Sequence, residues 1–76
     1  MAVTQELADR FRSYVSEFGP GQKITAIHLF GVEHGQSLQH LSTSDCKKLA
    51  LKAGFKESLG TELHKGIRLS KYAIRK

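Results

Sequence analysis

Residues 45–66 read Asp45-Cys-Lys-Lys-Leu-Ala-Leu-Lys-Ala-Gly-Phe-Lys-Glu-Ser-Leu-Gly-Thr-Glu-Leu-His-Lys-Gly66. A short helix-forming run ends at Ala53-Gly54-Phe55, and a second ends at Lys65-Gly66. Leu49, Ala50 and Ala53 make one apolar face before the turn, and Leu59 and Leu63 make another after it. Gly54 stands where a chain leaving a helix needs a left-handed residue, which glycine adopts without steric cost. The stretch therefore predicts two short helices joined over a glycine turn.

Charge is concentrated on the same stretch. Of the net +5, residues 1–44 contribute −1, with Arg10, Arg12 and Lys23 against Glu6, Asp9, Glu17 and Glu33. Residues 45–76 contribute +6, with Lys47, Lys48, Lys52, Lys56, Lys65, Arg68, Lys71, Arg75 and Lys76 against Asp45, Glu57 and Glu62. Such one-sidedness points to a polyanionic partner, nucleic acid or an anionic membrane surface; the plain alternative is a solvated basic face.

Outward from there, the first helix is expected from Thr4 to Phe18. Leu7, Phe11, Tyr14, Val15 and Phe18 follow the three- and four-residue steps of an amphipathic stripe. Thr4 suits the N-cap, Glu6 and Asp9 suit the first turns, and Gly19-Pro20-Gly21 stops the helix. Residues 22–31 fit either a helix face (Ile24, Ile27, Phe30) or a strand (Ile24, Ala26, His28, Phe30). A lone strand needs a partner, and no second one is found, which favours helix. Gly31 and Gly35 are expected to bracket a bend. Ser42 with Asp45 three residues on resembles a capping box and starts the helix that runs to Ala53. After the turn a helix is expected to begin between Lys56 and Leu59, with Ser58 as the best available cap; Leu59, Leu63 and Ile67 keep a four-residue step, so Gly66 either closes it or only interrupts it. Leu69, Tyr72 and Ala73 are expected to form a last turn docked on the core.

At 76 residues the chain is one small domain, 1–76, or a piece of something larger. A domain this size buries only about 60% of its unfolded surface. The apolar fraction of 39% is a folding composition. One cysteine cannot form an internal bridge, which fits a reducing, cytoplasmic setting. No apolar run nears the roughly 20 residues that cross a bilayer, and the N-terminus does not resemble a secretory signal.

Around Leu49-Ala50-Leu51-Lys52-Ala53-Gly54-Phe55 the chain resembles helix-turn-helix domains of the phage-repressor type. In that family an alanine stands four residues before the turn glycine, an apolar residue follows it, and a glycine closes the next helix. Ala50, Gly54, Phe55 and Gly66 occupy those places. Two positions depart from the pattern: Lys56 where a small cap is usual, and Gly60 where a branched apolar residue is usual.

The resemblance implies an all-α fold, a compact bundle of four to five short helices containing a helix-turn-helix. It implies double-stranded DNA as partner, with the second helix in the major groove and the first crossing the backbone. Lys56, Glu57, Ser58, Thr61, Glu62 and Lys65 would face outward. Ser58 and Thr61 suit base edges or phosphate, and Glu62 suits cytosine N4. Lys47, Lys48, Lys52, Arg68, Lys71, Arg75 and Lys76 suit phosphates. Gly60 would allow close approach to DNA or to a neighbouring helix. A homodimer on two half-sites follows from the small number of base contacts.

His28, His34, His40, His64 and Cys46 lack paired zinc spacing, so no metal or other cofactor is expected. Cys46, near a helix start and beside Lys47, is expected to have a lowered pKa. A nucleophile needs a base, an orienting group and a pocket, so no catalysis is expected. The competing functional reading is a protein–protein interaction module using the Leu7/Phe11/Tyr14 stripe or the hairpin. An RNA-binding or nucleoid-type accessory role is a further one.

Overall fold

The computed structural model describes residues 3–72. It contains four helices: α1 (Gln5–Ser16), α2 (Lys23–Glu33), α3 (Thr43–Lys52) and α4 (Ser58–Leu69). The all-α expectation holds, and the ambiguous stretch is helix from Lys23, running on to Glu33.

Local chemistry accounts for most boundaries. Thr4 caps α1, its Oγ1 accepting from the Leu7 N–H at 3.1 Å. Ser42 and Asp45 form the reciprocal capping box at the start of α3: Ser42 Oγ accepts from Asp45 N, and Asp45 accepts from Ser42 N. Gly54 has φ +87°, Phe55 N donates to Ala50 O at 2.8 Å, and Gly54 N donates to Leu51 O. Those two bonds are a Schellman closure, which satisfies carbonyls that the end of α3 would otherwise leave open.

Three boundaries differ from expectation. Ser58 is the first residue of α4 and not its cap; Glu57 precedes it with no side-chain capping bond. Gly66 does not close α4, which continues to Leu69, and Gly31 lies inside α2 and not at a bend. Both glycines are buried where helices meet.

Helix α1 packs on α2 and α3, and α4 packs on the same two helices. Among the described residues α1 and α4 do not meet, nor do α2 and α3. The bundle is thus a closed ring, α1–α2–α4–α3, with α1 and α4 on opposite sides. Phe11, Ile27, Phe30, Leu49, Leu63 and Ile67 fill its centre and are fully buried. Each stabilises the fold by about 1.5–3 kcal/mol relative to an exposed position.

The aromatic stripe of α1 is core, as its spacing predicts. Phe11 packs on Phe30 at 4.9 Å and edge-on to Phe55 at 5.4 Å, which fixes the turn after α3 against α1. Tyr14 donates its hydroxyl to Glu33 at 2.7 Å; burial and that carboxylate push its pKa up to about 12.

The close contacts of α4 need glycine. A Cβ at Gly66 would stand 2.5 Å from the His28 carbonyl oxygen, and one at Gly60 would stand 2.5 Å from the Cys46 carbonyl oxygen. The place of Gly60 is therefore against α3, the neighbouring helix of the two partners expected for it.

Candidate nucleic-acid interface

Helix α4 lies wedged between α2 and α3, so only one side of it is free. At 100° per residue, Gly60, Leu63, Gly66 and Ile67 point inward, and all four are buried. Ser58, Lys65, Arg68 and Leu69 are exposed, with half-buried Thr61 between them. These residues form one ridge along the helix, which shares Ser58, Thr61 and Lys65 with the expected outward face, adds Arg68 and Leu69, and leaves half-buried Glu62 at its α2 edge.

Each edge of the ridge is fastened to a neighbouring helix. On the α3 side, His64 Nδ1 lies 3.3 Å from Thr43 Oγ1, and the backbone of Lys47 abuts Gly60. On the α2 side, Glu62 Oε1 meets His28 Nε2 at 2.8 Å, while Glu62 Oε2 lies 3.5 Å from Lys65 Nζ. The hydrogen bond with His28 is the main cause holding the Glu62 carboxyl below its ordinary value; partial burial opposes it, and Lys65 assists. A glutamate so engaged presents less net negative charge to an approaching anion than a free one would.

The remaining expected contacts sit as follows. Lys47 is half-buried at the α3–α4 seam, next to the ridge. Lys48 and Lys52 are exposed on α3, about 100° and 140° round the helix from Lys47. Lys56 is exposed in the turn, and Lys71 is exposed just past α4. The structure thus gathers Ser58, Thr61, Lys65, Arg68 and Lys47 on one face, while Lys48 and Lys52 stand further round α3, off that face. Arg75 and Lys76 lie outside the described residues, as does Ala73.

Two expectations fail here. The thiol of Cys46 is not activated: it is buried, and burial followed by the Asp45 carboxylate pushes its pKa up to about 11. Residues Leu69 and Tyr72 do not dock on the core, being 52% and 83% exposed.

Sequence reasoning missed His28, Thr43 and His64 as fasteners of the ridge. The His28–Glu62 pair spans 34 residues, and no local pattern announces it.

Among the described residues no helix is long and apolar enough to cross a membrane, and no three His, Cys, Asp or Glu side chains come together as a metal site. A family model described as an HTH-like domain matches residues 3–76. No curated protein and no solved structure matches the chain.

Proposed function

Since the chain belongs to the HTH-like domain family, we propose that it binds double-stranded DNA, as a transcription regulator or a DNA-associated accessory protein. Helix α4 enters the major groove by its N-terminal turns, and α3 crosses the backbone. Ser58 and Thr61 meet base edges; Lys47, Lys48, Lys52, Lys56, Lys65, Arg68 and Lys71 meet phosphates and set position. The observation that carries this reading is the single free ridge of α4, bordered by Lys47 and carrying Lys65 and Arg68.

With two short hydroxyl side chains as its main readers, one copy discriminates weakly. Two copies on two half-sites would supply the rest. Glu62 is held by His28 and Lys65, so it serves this reading by limiting repulsion as much as by accepting from cytosine.

The test is a titration against duplex DNA at two salt concentrations. Affinity should fall steeply as salt rises, because each phosphate contact releases counterions. Absence of binding at low salt, or binding indifferent to salt, contradicts the proposal.

A further inference from the structure

The ridge of α4 is longer than a groove is wide. From Ser58 to Leu69 it rises about 16 Å, against about 12 Å for the major groove. A straight helix that enters by its N-terminal turns therefore carries its last turn clear of the bases, over the sugar–phosphate wall.

A cleft lies at that far end, lined by Lys65, Arg68, Leu69 and Tyr72. Scattered apolar residues on a surface need no explanation. Here two of the most exposed apolar side chains among the described residues share one cleft with two cations. The backbone beneath them is pinned. Gln39 Nε2 donates to Ile67 O at 3.1 Å and to Ser70 Oγ at 3.0 Å, and Ser70 packs where only the bare Cα of Gly35 leaves room.

We propose that this cleft seats one sugar–phosphate unit of the DNA strand flanking the groove, with Arg68 and Lys65 on the phosphate and Leu69 and Tyr72 against the deoxyribose. The proposal rests on the DNA-binding reading and extends it. A guanidinium fork matches a phosphate, and the amphipathic tyrosine ring covers the apolar face of a sugar while its hydroxyl stays wet. An acidic peptide would satisfy the charge alone. DNA is favoured because the cleft continues the ridge Ser58–Thr61–Lys65–Arg68, so one rigid helix reaches groove and strand together.

The test is the affinity of the full chain for a fluorescent mixed-sequence duplex over a range of salt, compared with Tyr72→Ala, Arg68→Gln and Leu29→Ala. Tyr72 is so exposed that its loss leaves the fold intact, which circular dichroism checks. Tyr72→Ala should weaken binding roughly fivefold to tenfold with an unchanged salt slope, since the ring carries no charge. Arg68→Gln should weaken binding and reduce the log–log salt slope by about 1. Leu29→Ala, which removes an exposed leucine from α2, where no DNA contact is assigned, should bind as the unmodified chain does. If the unmodified chain binds DNA but Tyr72→Ala binds equally well, the cleft proposal falls and the DNA reading stands. If the unmodified chain does not bind, both fall. A synthetic amphipathic Glu/Leu peptide that binds the chain and loses that binding in Tyr72→Ala, with DNA affinity unaltered, gives the cleft to a protein and overturns the proposal.

Discussion

Gly31 and Gly66 face one another across α2 and α4, so closely that a Cβ on residue 66 would stand 3.2 Å from the Gly31 Cα. The same atom would stand 2.5 Å from the His28 carbonyl oxygen, which is backbone and cannot swing aside. This contact sets how deeply α4 sinks between its neighbours. It also brings Glu62 within reach of His28 and fixes which strip of α4 stays free.

Gly66→Ala should therefore destabilise the protein by about 1–3 kcal/mol, through overpacking. In an unpacked helix the same change would stabilise by up to about 1 kcal/mol, so the sign is diagnostic. Gly19→Ala, at a position with nothing within 4 Å, is the control and should be near neutral. Urea denaturation midpoints decide between them.

Gly54 closes α3 at φ +87° with open space around it. Replacement by alanine meets no neighbour, so any cost is backbone strain, expected at about 1–2 kcal/mol. Ser42→Ala should cost about 1 kcal/mol by removing the cap at the other end of α3. The two sites share no partner, and the double variant should show additive losses in the same denaturation experiment.

The Glu62 carboxyl titrates below its ordinary value of 4.5, chiefly because of the hydrogen bond with His28. A folded-state pKa below the unfolded one gives stability that is complete above about pH 4.5 and is lost as pH falls through the folded value. Glu62→Gln should flatten that part of the acid limb of a stability-against-pH curve. An unchanged limb would remove the coupling.

Cys46 behaves oppositely to its helix-start position. Burial raises its thiol to about 11, so the stability tied to it is present below the unfolded value near 9.0 and is lost as pH rises towards 11. Near neutral pH the native thiol should react far more slowly with a disulfide reagent than the same thiol in denaturant. Equal rates would show that the site is open.

The parts of the fold legible in sequence are those set within a few residues. Thr4, the Ser42–Asp45 box and the Gly54 turn each settle a helix end through local hydrogen bonds, and all three stand where their residue types place them. Helix α2 was less plain, because Ile24, Ala26, His28 and Phe30 alternate like a strand; absence of a pairing partner decided it. The roles of Gly60 and Gly66 depend on chain segments that arrive from elsewhere, so spacing within α4 does not reveal them. Residues Leu69 and Tyr72 show a second limit. Their spacing tells which residues share a face, but not whether anything covers that face. The candidate interface was legible as a basic hairpin. Its narrowing to one ridge came from packing on both flanks of α4.

The most direct measurement is the map of backbone amide shift changes when duplex DNA is added to the full chain at low salt. Changes should cluster along residues 47–52 and 56–65 and at Arg68–Tyr72, and leave α1 (Gln5–Ser16), on the side of the bundle opposite α4, unmoved. Absence of shifts, or shifts centred on α1, would contradict DNA binding through α4.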